Sequence, residues 1–357
     1  MTAPDRTGRH RLPSVLALAL LAAGLAIAAL AGCGGASSQP PRLKQATLIL
    51  DFVPNAVHAG IYRALGAGYY RREGIDLRVV TPSATTDTLK LIDAHSAQFG
   101  LADGSDVAGL IAAGGDAQAV MAIVQRPLGG LIALASEHLR SPADLQGRTV
   151  GITGVPSDTA VLDTEVRHAS GDPAKVHVVT VGFNGPQALV AGRIAAFTGF
   201  IPDEGVTLRA SGHPITAFAL DRNGGPAYPG LVAFTTRRLI ATEPGLVRGF
   251  VAATVHGYED TLADPARSLA ELLRANPSLP AGLTRASLAA YLPLFDGRPT
   301  GESGGGAPLA RGAAPVPFGT LQPPNVAAMS GWMVATGLIH APIVPSRYGT
   351  NRFLPAN

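Results

Sequence analysis

The stretch TLILDFVPNAVHAGIY, residues 47–62, carries the decision about the fold. Its apolar run TLIL, extended by Asp51 and Phe52, reads as a strand. Pro54 and Asn55 interrupt that run. Proline suits the entry to a helix and asparagine caps one, so a helix is predicted to follow from His58. A strand that turns straight into a helix is half of a βαβ unit, and such units build parallel sheets covered by helices. The corner also gathers a phenyl ring, an amide and an imidazole, on Phe52, Asn55 and His58. Either they pack the corner or they floor a binding site.

The same alternation continues outward. Helical patterns cover 58–74, 85–97 and 105–115, and strand patterns cover 75–82, 98–103 and 117–127. A parallel sheet covered by helices is therefore expected. A second set follows, with strands predicted at 141–153, 176–182, 195–200 and 215–220 and helices at 155–170 and 186–195. Residues 228–240 read as the chain returning to the first set. The remainder is mostly helical, at 242–265, 265–275, 283–295 and 325–339, apart from an irregular Gly/Pro/Ala-rich loop at 297–317. Two α/β sets joined by crossovers imply two lobes. The first takes 46–134 and 230–357, the second takes 135–229, and the crossovers fall near 130–140 and 228–235. A ligand cleft is expected between the lobes.

The N-terminus reads as an address. Arg6, Arg9 and Arg11 precede an uncharged apolar run from Val15 to Leu30, which closes on Leu30-Ala31-Gly32-Cys33. That is the pattern of a bacterial lipoprotein signal. Residues 1–32 are expected to be removed and Cys33 to carry the lipid. Residues 33–45, rich in Gly, Ser, Pro and Gln, would tether the folded body to the outer face of the cytoplasmic membrane, at the cell surface or in the periplasm. The alternative is an uncleaved anchor, which leaves the body on the same side.

Composition removes several classes of function. The 28 Lys and Arg against 25 Asp and Glu give a net charge of +3, much of it from the signal. No basic run marks a nucleic-acid surface. Cys33 is the only cysteine, so lipidation leaves no thiol for a disulfide or a redox site. There is no P-loop, and the nine histidines include no H-x-x-x-H pair. The chain is read as a monomer and a non-enzyme, with no cofactor and no metal.

Open parallel sheets bind ligands beyond the C-terminal ends of their strands. Phe52, Ser83, Asp103, Ser105 and Ser157 all fall at predicted strand ends. Phe52 offers a face to a flat heterocycle, or packs in the core. Asn55 offers a polar edge, or caps its helix. His58 shares a helix face with Asn55. Glu204 offers a carboxylate to an amine, or stands in a solvated turn. Ser157 and Asp158 suit helix caps, with ligand contact as the second reading.

The run Asp51-Phe52-Val53-Pro54-Asn55-Ala56-Val57-His58-Ala59-Gly60-Ile61-Tyr62 resembles the thiamine-precursor (NMT1/THI5-like) branch of bacterial substrate-binding proteins, where tryptophan often takes the place of Phe52. Gly68-Tyr69-Tyr70-Arg71-Arg72-Glu73-Gly74-Ile75-Asp76 resembles the run that follows in that family, as do Gln98-Phe99-Gly100 and Gly199–Gly205 more loosely. The resemblance implies a two-lobed, periplasmic-binding-protein-like (type II) α/β fold. It also implies a small-molecule ligand, an aminopyrimidine above all, and a permease and ATPase of the ABC type as partners. Riboflavin, an alkylsulfonate or another small organic solute are the alternatives, as is an enzyme or sensor on the same fold. Within the family, the fungal synthases carry a cysteine-rich strand where this chain has Leu231-Val232-Ala233-Phe234-Thr235.

Overall fold

The computed structural model describes residues 43–295 and 316–356. The signal, Cys33, nearly all of the tether and most of the 297–317 loop lie outside these residues.

Two five-stranded sheets organise the chain. The first has the order β2-β1-β3-β10-β4, from β1 (Lys44–Ile49), β2 (Ile75–Val80), β3 (Phe99–Ala102), β4 (Gln118–Val124) and β10 (Leu231–Thr235). The second has the order β7-β6-β8-β5-β9, from β5 (Gly129–Leu134), β6 (Thr149–Ile152), β7 (His177–Thr180), β8 (Ala196–Phe200) and β9 (Ile215–Ala219). The period of two in each strand divides the side chains between the faces of a sheet. Leu48, Phe99, Leu101 and Ala233 enter one core of the first sheet, while Ile49, Ala102, Val232 and Phe234 enter the core on its other face. Leu131 and Ile132 are split in the same way in the second sheet.

The sheets are mixed, which corrects the parallel expectation. β1 runs parallel to β2 and β3, but β10 runs antiparallel to β3 and β4. β6 runs parallel to β7 and β8, while β5 is antiparallel to β8 and β9. β5 and β10 are the strands by which the chain enters a sheet from the other lobe, so no βαβ connection sets their direction. β5 also moves the first crossing. The chain passes between the sheets at 125–128, ahead of the expected 130–140, and residues 129–134 belong to the second sheet. It returns through 220–230.

The two crossings lie side by side. The Gly230 N–H donates to the Val124 carbonyl at 3.0 Å, and a Cβ on Gly230 would stand 1.9 Å from the Arg126 carbonyl oxygen. Arg126 on one crossing binds Asp221 on the other through Nε at 3.0 Å and a terminal nitrogen at 2.5 Å. Both side chains are about 95% buried, at 5% and 4% exposure. The lobes also meet beyond the crossings. Trp332, in the Pro323–Ala335 helix, donates its indole N–H to Thr164 of the Pro156–His168 helix at 2.9 Å and stacks on Tyr228.

The opening corner is set by close helix packing. The Ala59–Gly66 helix crosses the Pro244–Ala263 helix at Gly60 and Gly257. A Cβ at Gly60 would sit 2.4 Å from the Tyr258 ring, and one at Gly257 would sit 2.1 Å from the Gly60 carbonyl oxygen. Tyr258 reaches over this crossing to donate to the Val57 carbonyl at 2.8 Å.

Candidate functional site

The strand ends converge on a cleft between the lobes that encloses about 830 Å³, its mouth included. Its walls carry six carboxylates. Asp51, Asp103 and Asp106 come from the first lobe, and Asp158, Asp203 and Glu204 from the second. No lysine or arginine lines it.

Each acid is placed by local backbone. Asp51 follows β1, and His58 holds it there. The Asn55 N–H donates to His58 Nδ1 at 3.2 Å, so the ring carries its proton on Nε2 and donates to Asp51 Oδ1 at 2.8 Å. Asp51 Oδ2 is then buried with no hydrogen-bond partner. Asp103 caps the Gly104–Ala112 helix, where its Oδ1 accepts from the Ser105 N–H at 2.8 Å and the Ser105 hydroxyl at 2.6 Å. Asp106, one turn on, lies near the hydroxyl and the N–H of Ser157 across the cleft. Asp158 gathers the Thr153 and Gly154 N–H groups at 2.8 and 3.1 Å and the hydroxyls of Thr153 and Thr198 at 2.6 and 3.0 Å. Asp203 accepts from Ser287 at 3.1 Å. Glu204 accepts from the Phe200 N–H at 2.7 Å, in space left by Gly199, whose Cβ would stand 2.5 Å from Glu204 Oε2.

Withdrawal from water raises these acids, and mutual repulsion adds to the rise. Burial pushes Asp103 to about 7, with Asp158 contributing. Burial pushes Asp203 to about 6, and burial with Asp203 beside it pushes Glu204 to about 8. Asp106 is driven well above the carboxylate range by burial and by Asp103, and burial also raises Asp158.

The structure redistributes the residues predicted for the site. Phe52, Asp103, Ser157 and Glu204 line the cleft. Phe52 meets Phe183 of the second lobe edge to face, with ring centroids 4.4 Å apart, so part of its ring is already covered. Asn55 does not line the cleft, because its amide is used locally. Oδ1 accepts from the Val57 N–H at 2.9 Å and Nδ2 donates to the Val53 carbonyl at 3.3 Å, which caps the turn Ala56–His58. His58 is fully buried and acts through Asp51. Ser105 is buried against Asp103, and Ser83 is exposed with its N–H on Asp87 at 3.1 Å. Asp158 binds the loop before its helix, whose first turn begins at Pro156. Asp51, Asp106 and Asp203 were missed. Asp51 and Asp203 stand within the quoted motifs, but only the folded cleft shows their carboxylates facing one space.

Two α/β lobes about a cleft, joined by paired crossings, define the periplasmic-binding-protein fold. The alkanesulfonate-binding protein SsuA from Xanthomonas axonopodis pv. citri, solved bound to MOPS, shares it with a TM-score of 0.65 at 16% identity, over 88% of this chain and 99% of that one. The chain belongs to the NMT1/THI5-like family, whose model matches residues 55–268, more than half of its length. It is 33% identical to the formylaminopyrimidine-binding protein of Halalkalibacterium halodurans, over 79% of this chain and 87% of that protein. It is 28% identical to the riboflavin-binding protein RibY of Chloroflexus aurantiacus, over 90% and 89%. Relatives at 27% identity and below include 4-amino-5-hydroxymethyl-2-methylpyrimidine phosphate synthases. Among the described residues no helix is long and apolar enough to cross a membrane.

Proposed function

We propose that this protein is the solute-binding component of an ABC-type importer, held outside the cytoplasmic membrane by a lipid on Cys33, and that its solute is an aminopyrimidine. The observation that carries this reading is the lining of the cleft, with six carboxylates and no lysine or arginine. Such a surface accepts hydrogen bonds. An aminopyrimidine brings an exocyclic amine and a ring nitrogen that can take a proton, and a flat ring to lie against Phe52. Closing the lobes on a bound solute gives the permease a loaded form to recognise, provided the solute touches both lobes. Glu204 on one lobe and Asp51 on the other supply those contacts.

The same lining argues against an alkylsulfonate. An oxyanion needs cations or free helix N-termini. Here the Ser105 N–H at one helix start is taken by Asp103, and the Thr153 and Gly154 N–H groups in the loop before the other are taken by Asp158. Riboflavin presents carbonyl acceptors, which the acids that burial keeps protonated can meet, so it stands as the second ligand reading. A synthase is disfavoured by the absence of cysteine from the cleft and by the engagement of both nitrogens of His58.

Calorimetry and thermal shift on the full chain test the reading, with an aminopyrimidine, thiamine, riboflavin and alkylsulfonates at up to about millimolar concentration. The aminopyrimidine is expected to bind and to raise Tm. If it leaves the protein unchanged while riboflavin or a sulfonate stabilises it, the ligand assignment fails and the transport role stands. Turnover of the aminopyrimidine would replace the binding role with an enzymatic one.

A further inference from the structure

The rims of the two lobes touch along a seam set away from the crossings. Phe52 follows β1, and Phe183, in the turn Gly182–Asn184, follows β7. Their ring centroids stand 4.4 Å apart with the planes at 74°. Beside them Thr85, beyond β2, donates its hydroxyl to the carbonyl of Thr153, beyond β6, at 3.3 Å. The seam is thus built from four strand ends, on two neighbouring strands of each sheet. In the first sheet β1 lies two places from β10 and three from β4, the strands that meet the crossings. In the second sheet β7 lies three places from β5 and four from β9. At about 4.8 Å per strand, each ring stands roughly 10–20 Å from the crossing strands. Rotation about a hinge moves a group in proportion to its distance from the axis, so opening the lobes parts these two rings.

The two rings do not share one position. Phe52 lines the cleft and Phe183 does not, and both are half-buried. One ring borders the solute space while the other stands behind it on the opposite lobe. Gly182 turns the chain at the end of β7 with φ at +56°, which glycine adopts at no steric cost, and Phe183 follows directly. Among the described residues Phe183 is the one aromatic ring paired with Phe52. An edge-to-face pair favours a defined angle between its rings. Phe52 therefore has its ring held by the second lobe in the shut form and loses that support in the open form.

We propose that Phe183 is a latch and positioning residue for the shut form: it meets Phe52 when the lobes close, holds that ring against the solute, and so slows the solute's departure. This rests on the reading above that the solute lies against Phe52, and it adds the residue that couples this stacking to closure. Entry is governed by the open form, in which the rings are apart. Exit requires the pair to break.

The test uses the full chain, with a hydroxymethyl-substituted aminopyrimidine and riboflavin as probes. Surface plasmon resonance reads association and dissociation rates for the wild type, Phe183→Leu, Phe183→Tyr, Phe52→Leu and the Phe52→Leu/Phe183→Leu pair. Phe183→Leu is expected to speed dissociation about two- to tenfold, the range of one aromatic pair, and to leave association unchanged. Phe183→Tyr keeps the ring and should keep the wild-type rates. In the Phe52→Leu background Phe183→Leu is expected to add little, because its partner is gone. Unchanged dissociation in Phe183→Leu overturns the latch, whether or not its ligand-free Tm falls, and leaves the solute assignment intact. So does an effect of equal size in both backgrounds, or a loss confined to association, which would mean that Phe183 meets the solute in the open form. If riboflavin binds and shows the coupling while the aminopyrimidine does not bind, the latch stands and the pyrimidine assignment falls. Silence from both probes overturns both. The wild type, Phe183→Leu and Phe183→Tyr decide the matter even if Phe52→Leu binds too weakly to measure.

Discussion

Asp51 and Asn55 divide the work of one corner. Asn55 spends its amide on the backbone of the turn that follows, and Asp51 keeps an oxygen for the cleft. Their substitutions should separate accordingly. Asn55→Ala removes a cap and is expected to cost about 0.5–2 kcal/mol of stability, with ligand affinity little changed. Asp51→Asn is expected to weaken ligand binding by about 1.5–3 kcal/mol. Denaturant unfolding and calorimetry on the same pair of variants check both. If Asn55→Ala instead loses affinity at unchanged stability, the amide faces the solute after all. The sequence made this assignment hard for a physical reason. An asparagine at a helix start and an asparagine at a cleft rim look the same in one dimension, and only the direction of the amide tells them apart. Asp103 could be singled out by its place at a predicted strand end and Glu204 by its charge in a turn, although the former also caps a helix.

At the scale of elements, the close crossing of the Ala59–Gly66 and Pro244–Ala263 helices fixes where the corner points. Gly60→Ala would drive a methyl group into the Tyr258 ring, and an overpacking cost of about 1–3 kcal/mol is expected. A drop in the midpoint of urea unfolding at unchanged slope measures it. Affinity in the folded fraction should hold, because neither ring nor methyl reaches the cleft. Most strands and helices could be read from their patterns, since TLIL is a short apolar run of strand length, buried on both faces, and helical patterns separate it from its successors. β5 could not. It opens on Gly129-Gly130, which reads as a loop, although a Cβ at Gly130 would stand 2.1 Å from the Phe218 carbonyl oxygen of the neighbouring strand. The glycine is there because the backbones approach, and that approach is a tertiary fact. The direction of β10 was hidden likewise, because it depends on which lobe the chain has just left.

For the whole molecule, the acids of the cleft link stability to pH. Asp203, Asp103 and Glu204 stand at about 6, 7 and 8 in the folded protein, above their ordinary values of 3.8, 3.8 and 4.5. The folded state thus keeps protons that the unfolded chain has already released. Raising the pH from about 4 to about 8 therefore favours unfolding. The Tm of the ligand-free protein is expected to fall across that window, and a flat profile would show that these groups titrate normally. The hinge gives a second expectation. Arg126→Met removes the hydrogen-bonded cation of buried Asp221, leaving only the more distant influence of Arg222, and should cost about 3–5 kcal/mol, read as a large fall in Tm. The ion pair itself joins one crossing to the other and spans no part of the cleft. Under the closure proposed above it is expected to turn with the axis and to stay formed in both the open and the shut form. Like an axle pin, it bears load without choosing a direction, so the balance between open and shut is left to the groups that face the solute.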